Sequence, residues 1–535
     1  MAESLITIAK TSSPHIHKGR TAGIVGILTL IVAGFGYLRE ASLAARFGVS
    51  TTMDAYFGAI FVPNIIYLIL ISGTLSPIFI PILLQENGDH DLSRASETFS
   101  VITSFILLLF LGIVVCGMLA APLWLPLLFR GFSPSTAEMT IQLVRLLFPA
   151  VLFLALAGIL TALLNGFHKF ALAATAPALS SIAVIIATFV AKGNRAVYVV
   201  TLATAIGFVL QALLLIPAAF SLGIRYRPNF NFSHSAIRKL IRLGVPLFLY
   251  LLAANATVVV ERNLASRISA GSVSILSYAL RLFTVPSNLL AAPLAIVAYP
   301  GFAREAAREQ RGDLANQASR LFRLVVFLFF PVTLWTILNA LPVTQLLYEH
   351  GHFLASDSFS TSRILAIYSL GILPNAVAII LLRCYFAIED TVTPLLTEIV
   401  NLMCFTIAAG VLSRRFGLDG LAAARAVTFY LVVGVLMIVL ARRRLLKLDF
   451  DFLGFLVRTV LATAIMGVVD WVLIRELHSL LGVSGTMVRL AGICILLLAS
   501  TATFLGCARF LKLSQANQIT STVLGLLPWN NNHSR

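Results

Sequence analysis

The sequence predicts an all-α polytopic membrane protein of about fourteen transmembrane helices, arranged as two six-helix lobes followed by an appended pair. Three observations carry that expectation. The 535 residues are 59% hydrophobic and only 11% charged, with a mean hydropathy of +0.95, whereas about a quarter of a soluble domain is charged. Apolar runs of about 20 residues, the length that crosses ~30 Å of hydrocarbon, recur from end to end with short polar gaps. The third is a self-similarity at a period of roughly 220 residues, the length of six spans.

In chain order, residues 1–21 are too polar for a signal-peptide core, and no small-residue cleavage pattern closes the apolar run that follows. They read as a cytoplasmic tail. The first lobe, 22–221, holds spans at roughly 22–48, 55–84, 98–126, 138–166, 170–191 and 196–221. The second, 222–450 with its cytoplasmic connectors, holds spans at roughly 237–268, 272–301, 318–347, 358–387, 392–413 and 418–441. The appended pair, at roughly 454–475 and 486–511, lies within 451–512, and 513–535 is a second tail. An even number of spans puts both termini on one side.

The repeat shows in LAAR at Leu43–Arg46 against LASR at Leu264–Arg267, and in Val62–Pro63 against Val285–Pro286. The run from Arg130 to Leu179 likewise has its partner from His350 to Leu396. Six spans per copy keep both copies in one orientation, so the lobes are expected to be related by a pseudo-twofold axis along the membrane normal. Orientation follows from Arg225, Arg227, Arg238, Lys239 and Arg242, which share a side with Arg304, Arg308, Arg311, Arg320 and Arg323 and with Arg442–Arg444 and Lys447. That side is expected to be cytoplasmic. The net charge of +17 is thereby a membrane-topology signal whose partner is anionic lipid, not nucleic acid. Five scattered cysteines, Cys116, Cys384, Cys404, Cys494 and Cys507, read as small hydrophobes.

Ionisable groups inside apolar spans are the functional candidates. An ionised side chain at the bilayer centre costs ~2.5–3.5 kcal/mol on insertion scales, so such groups face protein or water. In GYLREASLAARFGVSTTMDAYF, Arg39 and Arg46 lie two helical turns apart on one face, Glu40 adjoins Arg39, and Asp54 opens the second span. The second lobe offers Glu261, Arg262 and Arg267 in the seventh span and Arg281 in the eighth. Arginines aimed inward from both lobes suit a multiply charged anion, because guanidinium stays protonated and grips phosphate oxygens bidentately. The bland alternative is salt bridging between helices or snorkelling near span ends.

Glu389 and Asp390 are expected to cap the eleventh span. Glu398 and Asn401, three residues apart inside that span, suit either a cation or proton site for coupling or a plain interhelical hydrogen bond. Arg383 and Arg425 could extend the cationic set, and His168 reads as a surface residue. The stretch from Ala303 to Arg323 reads as a solvated helical connector. There is no Walker loop, GxSxG, HExxH or acidic pair in a long outer loop, so the expectation is translocation without ATP hydrolysis by this chain and without a cofactor or metal.

The order GYLRE, ARFG, MDAYFGAIFVPN, SGTLSPIFIPIL, AGSVSILSYALRL, YEHGHF and ED-TVTP resembles the MurJ/MviN lipid II flippases of the multidrug/oligosaccharidyl-lipid/polysaccharide exporter superfamily. The resemblance covers essentially the whole chain. It implies fourteen helices with a C-terminal pair that forms a groove for a polyprenyl tail, in the bacterial cytoplasmic (inner) membrane. The implied substrate is undecaprenyl-pyrophosphate-linked peptidoglycan precursor, lipid II, moved from the cytoplasmic to the periplasmic leaflet. By motif, Arg39, Asp54 and Arg281 match the family's cavity residues. Glu40 stands for the usual aspartate, and Ala33, Tyr67 and Leu68 stand where many members carry arginine, which makes the cavity less cationic.

The function expected is therefore a flippase working by alternating access, driven by the membrane potential or a monovalent cation. The alternatives are a related exporter of O-antigen or exopolysaccharide lipid intermediates, a transport-inactive scaffold for cell-wall synthesis enzymes, and a membrane glycosyltransferase or ligase. The missing acidic outer-loop pair argues against the last.

Overall fold

In the computed structural model the described residues are 14–67 and 92–516, apart from 168, 309, 448, 449 and 484. All regular structure among them is helical. A helix satisfies its backbone N–H and C=O groups within itself, which hydrocarbon demands. The chain divides into two compact units, one of residues 1–46 and 51–252, the other of residues 47–50 and 253–535.

In the first unit α1 (Pro14–Phe47) begins inside the predicted tail, and α2 (Thr51–Tyr67) carries the start of the second span. The rest of that span, with Leu68 and the SGTLSPIFIPIL motif, lies outside the described residues. The third span is α3 (Leu92–Leu119) followed by α4 (Ala121–Leu128). The fourth, α5 (Pro134–Gly166), starts where Ser133 Oγ accepts the Thr136 N–H at 3.2 Å. The fifth breaks at Ala176–Pro177 into α6 (Phe170–Thr175) and α7 (Ala178–Val190), and the sixth is α8 (Ala196–Phe220).

Helix α5 is the centre of this unit and packs against α2, α3 and α8. Its buried residues Val144, Leu147, Val151, Ala155, Ile159 and Ala162 recur at helical spacing and make one continuous contact face. In lipid such contacts rest on close packing, because the tails are as apolar as leucine. Gly207 of α8 shows this: a Cβ there would come within 2.4 Å of Ser180 Cα on α7.

After α8 the chain runs along α3 as an extended strap. Ser96, Ser100 and Ser104 stand one turn apart, and their hydroxyls accept the N–H groups of Arg225, Arg227 and Asn229 at 3.2, 3.0 and 3.2 Å. Four helical residues rise ~6 Å and two extended residues ~6.6 Å, so the two periods stay in step. Phe99 and Phe105 receive the Tyr226 and Phe232 rings edge-on. The strap then enters α9 (Ser235–Ser266).

The second unit continues from α9 through α10 (Ser272–Pro286), a π-helical turn (Ser287–Ala291) and α11 (Ala292–Ala307). The ninth predicted span is α12 (Arg311–Leu338) with α13 (Ala340–Tyr348). The tenth is α14 (Ala355–Ser369) with α15 (Ile372–Ala387). The eleventh and twelfth follow one another in α16 (Val392–Arg442), two helices that meet at a kink at Gly417, where φ is +58° and ψ −133°. The appended pair is α17 (Phe450–Val483) and α18 (Thr486–Phe510), which pack on each other; α17 also packs on α12, and α18 on α13.

Ten helices are long and apolar enough to cross a membrane among the described residues, or eleven if the 46° bent pair α14–α15 is one span. Three further predicted spans correspond to α2, to α9, whose side chains are described only in part, and to the second arm of α16.

The turn Phe47–Ser50 belongs to this second unit. Its Val49 N–H points to Asp357 Oδ2 at 3.4 Å, an oxygen that also takes the Leu354 N–H at 3.1 Å. Gly48 has φ of +60°, and a Cβ there would meet the His352 carbonyl oxygen at 2.4 Å. Thus the Phe47–Ser50 turn and YEHGHF, far apart in sequence, form one packed corner with the Tyr278, Tyr348 and Phe353 rings.

These two glycines give a graded expectation. Gly417→Ala meets only an ordinary van der Waals contact, Ile268 Cγ2 at 3.7 Å, and costs the ~1–3 kcal/mol of a disfavoured backbone. Gly48→Ala adds a backbone collision and is expected to lower the melting temperature of the detergent-solubilised protein further. A Gly48→Ala protein that melts like wild type would contradict the packing of this corner.

Candidate substrate-binding and coupling residues

Arg39 and Glu40 are successive on α1, so their Cβ atoms diverge by about 100°. The long arginine side chain closes the gap: Nη2 donates to Glu40 Oε1 at 2.6 Å. The Arg39 side chain is 20% exposed and that of Glu40 8%, while the Arg39 Nε is buried with no hydrogen-bond partner. A charge-assisted pair thus occupies one edge of the guanidinium. Asp54 is buried in the first turn of α2, where a carboxylate is favoured by the helix dipole. On the same helix, Tyr56 shares a hydrogen bond with Thr204 at 3.1 Å.

Arg46 shares the face of Arg39 by spacing, but its Nη2 donates to the Ala191 carbonyl at 2.8 Å, and Ala191 is the C-cap of α7. A cation at a helix C-terminus satisfies an orphan carbonyl and offsets the dipole. This contact gives Arg46 a structural task within the first unit.

In the second unit the predicted residues separate. Arg267 is exposed at the end of α9 and donates to Asn263 Oδ1 at 2.7 Å on its own helix. Arg262 reaches the Val273 carbonyl at 2.9 Å and Ser277 Oγ at 2.6 Å, tying α9 to α10. Arg281 lies half-buried on α10. Asn401 Nδ2 donates to Glu398 Oε2 at 3.0 Å, so the expected bond exists but lies within one helix and not between two, and Asn401 Oδ1 is buried without a partner.

A set that the sequence reading did not assemble lies deeper. Glu261 is 1% exposed and accepts the Tyr368 hydroxyl at 2.8 Å through Oε1, while its Oε2 is buried with no partner. Arg425 lies 5.6 Å from the Phe405 ring centroid and 5.0 Å from that of Phe429, with Nε and Nη1 buried and unpartnered. It is within electrostatic reach of both Glu398 and Tyr368. The bend at Gly417 is what brings Arg425, on one arm of α16, toward Glu398 on the other. Tyr368 was missed because a tyrosine in an apolar run gives no periodic signal. Arg383 stands apart, 6.0 Å from the Tyr299 ring.

A second missed group joins the appended pair to the rest. Asp470 on α17, fully buried, accepts Asn339 Nδ2 at 2.6 Å and Ser500 Oγ at 2.7 Å. Near the opposite end of α13 from Asn339, Arg489 pairs with Glu349 at 3.1 Å. A lone aspartate inside a predicted span was the available signal. Among the described residues no group of three or more potential metal ligands occurs. His168 lies outside the described residues. The charged connector lines an open cavity of about 840 Å3 with Arg304, Arg308, Arg320, Arg323 and Lys447.

The family described as lipid II flippase MurJ matches residues 43–492. A probable lipid II flippase MurJ of Rhizobium tropici is 28% identical over 499 residues, covering 89% of this chain and 90% of that protein. The lipid II flippase MurJ of Burkholderia cenocepacia is 26% identical over 456 residues, covering 83% and 88%. Among solved structures, a lipid II flippase MurJ in an inward closed conformation superposes with a TM-score of 0.78 at 23% identity, over 91% of this chain and 99% of that one. An inward-facing multidrug resistance MATE family transporter of the MOP superfamily follows at a TM-score of 0.65 and 16% identity, over 78% and 98%. Both structural likenesses establish the fold.

The capping expectation at the turn before α16 yields a pH prediction. Burial works against the Asp390 carboxylate, but the Thr393 N–H at 2.9 Å, the Thr393 hydroxyl at 2.7 Å and Arg443 at 2.6 Å more than offset it and hold its pKa below the ordinary value. A depressed carboxylate contributes stability above its unfolded pKa and loses it as pH falls through the folded one. Below about pH 4 the melting temperature of wild type should therefore drop more steeply than that of Asp390→Asn. Parallel curves would remove the ionised cap.

Proposed function

The chain belongs to the lipid II flippase MurJ family, and from that premise we propose that it carries lipid II from the cytoplasmic to the periplasmic leaflet of the bacterial inner membrane by alternating access, with both termini in the cytoplasm. In this reading residues 22–221 and 222–450 are the two lobes, and 451–512 hold the polyprenyl tail. Arg39 and Arg281 take the pyrophosphate, with Asp54 orienting the site and Arg46 and Arg267 contributing positive potential. The drive is the membrane potential or a monovalent cation, since a net charge crossing the bilayer couples to ~2.3 kcal/mol for each 100 mV. Glu398 and Asn401 are the coupling candidates.

The observation that supports Arg39 most is its split character: one edge neutralised by Glu40, the Nε unpartnered, and a fifth of the side chain open. Glu40 keeps the cation affordable in an apolar span while leaving donors for an incoming phosphate. The headgroup is tested by depleting the protein and identifying the undecaprenyl-linked intermediate that accumulates on the inner leaflet. Accumulation of an O-antigen or exopolysaccharide intermediate in place of lipid II would overturn the substrate; no accumulation would point to a scaffold for cell-wall enzymes.

For Arg39, loss of a charge-assisted contact is worth ~1.5–3 kcal/mol, or roughly one to two orders of magnitude in substrate affinity. Arg39→Ala should abolish flipping with insertion retained, and Arg39→Lys should keep only part of it. The double change Arg39→Ala with Glu40→Gln decides between roles. If Arg39 only neutralises Glu40, removing both charges restores transport; if it holds substrate, transport stays lost.

A further inference from the structure

The first unit carries an apolar groove, crowned by cations, that the transport reading does not use. It runs between α3 and the first half of α9, with a volume of about 350 Å3. Phe105, Leu109 and Ile113 wall it on α3, and Ile241, Val245 and Phe248 on α9. These positions step by three or four residues, so each helix presents one stripe over roughly 12 Å of rise. Leu109, Ile241 and Val245 remain 44%, 47% and 47% exposed.

At the start of α9, Arg238 and Arg242 stand exposed seven and three residues before Val245, so helical spacing sets both toward the groove stripe. No acidic residue occupies Ser235–Arg242. The strap fixes this end. Its three backbone N–H groups sit on the serine hydroxyls of α3, and Phe232 rests against Phe105, the first residue of the groove, at 5.8 Å. A site held in advance binds with less ordering cost.

We propose that this groove binds one acyl chain of an anionic phospholipid of the surrounding membrane, whose phosphate is taken by Arg238 and Arg242. The complementarity of charge selects the headgroup, and the purely apolar wall selects the chain. A peptide in hydrocarbon would leave its backbone groups unsatisfied unless helical, and about 350 Å3 is well below the volume that a helix of ~10 Å diameter fills over ~12 Å of length. Ordinary solvation by lipid would fill the groove regardless of headgroup, so charge dependence separates the two.

The test uses the full chain in phosphatidylcholine nanodiscs with a trace of phosphatidylglycerol or phosphatidylcholine bearing a diazirine on the acyl chain. Photoadducts are expected on the groove walls, at least about tenfold more from the phosphatidylglycerol probe. Arg238→Gln with Arg242→Gln should erase that preference while leaving the melting temperature near wild type, and the Lys pair should retain it. Val245→Trp should remove the groove adducts of both probes. Equal labelling by the two headgroups, a preference that survives neutralisation, or groove adducts that persist in Val245→Trp would each overturn the proposal. So would displacement of the phosphatidylglycerol probe by an equimolar lipid-linked saccharide, which would make the groove part of the substrate path.

Discussion

The absence of water in the hydrocarbon layer is the constraint on which the structure depends. It makes every spanning segment helical, since only a helix keeps its own N–H and C=O groups paired, and it leaves no free solvent for a charge. Each buried ionisable group must therefore be bought off locally by the protein, and the devices differ. Arg46 takes a helix-terminal carbonyl, Arg262 a carbonyl and a serine, Arg425 two aromatic faces, and Arg39 the carboxylate beside it. The first two bond oxygens of a neighbouring helix and so anchor one helix to another, although the Arg46 Nε stays unpartnered as that of Arg39 does. Arg39 is bonded within its own helix and Arg425 rests on rings with Nε and Nη1 unpartnered, so neither contact ties up a carbonyl of another helix.

That distinction sorts candidates better than burial does. Arg39 and Arg46 lie on the same face of one helix and were indistinguishable by spacing, yet only Arg46 reaches a backbone carbonyl that would otherwise be an orphan. Glu261 and Asp470 form a similar contrast among acids. Both Asp470 oxygens accept from a neutral donor, which ties α17 to α18 and to the α12–α13 junction. Glu261 uses one oxygen on Tyr368 and leaves the other unpaired, beside Arg262 in sequence and in the same electrostatic neighbourhood of Tyr368 as Arg425.

The membrane class and the segment order were legible because length and hydropathy respond to one large energy, that of placing apolar surface in lipid. Breaks were less legible. Pro177 and Pro286 mark discontinuities inside single predicted spans, whereas the predicted gap between 413 and 418 coincides with the turn that Gly417 makes at positive φ within the polar stretch SRRFGLDG. Partners were least legible. The Asp390 cap could be read because its donor is three residues away, whereas Glu261 with Tyr368 and Asp470 with Asn339 span more than a hundred residues. The serine ladder of α3 shows the same limit: Ser96, Ser100 and Ser104 are visible at helical spacing, but their use requires the extended strap that follows α8.

The internal repeat sharpens what is special about Arg39. The register that sets Leu43–Arg46 on Leu264–Arg267 also sets Glu40 on Glu261, so both copies carry a buried glutamate at the same place in the span. It sets Arg39 on Val260 and Ala41 on Arg262, so the adjacent cation precedes the glutamate in the first copy and follows it in the second. The second copy satisfies its glutamate with a tyrosine hydroxyl from another helix. The related arginines diverge as well, Arg46 bonding across to α7 and Arg267 only within its own helix. Each copy thus keeps a cation next to its buried glutamate, on opposite sides of it in sequence. The two cations differ in what they hold: Arg262 spends its guanidinium on oxygens of α10, whereas Arg39 donates to the glutamate beside it.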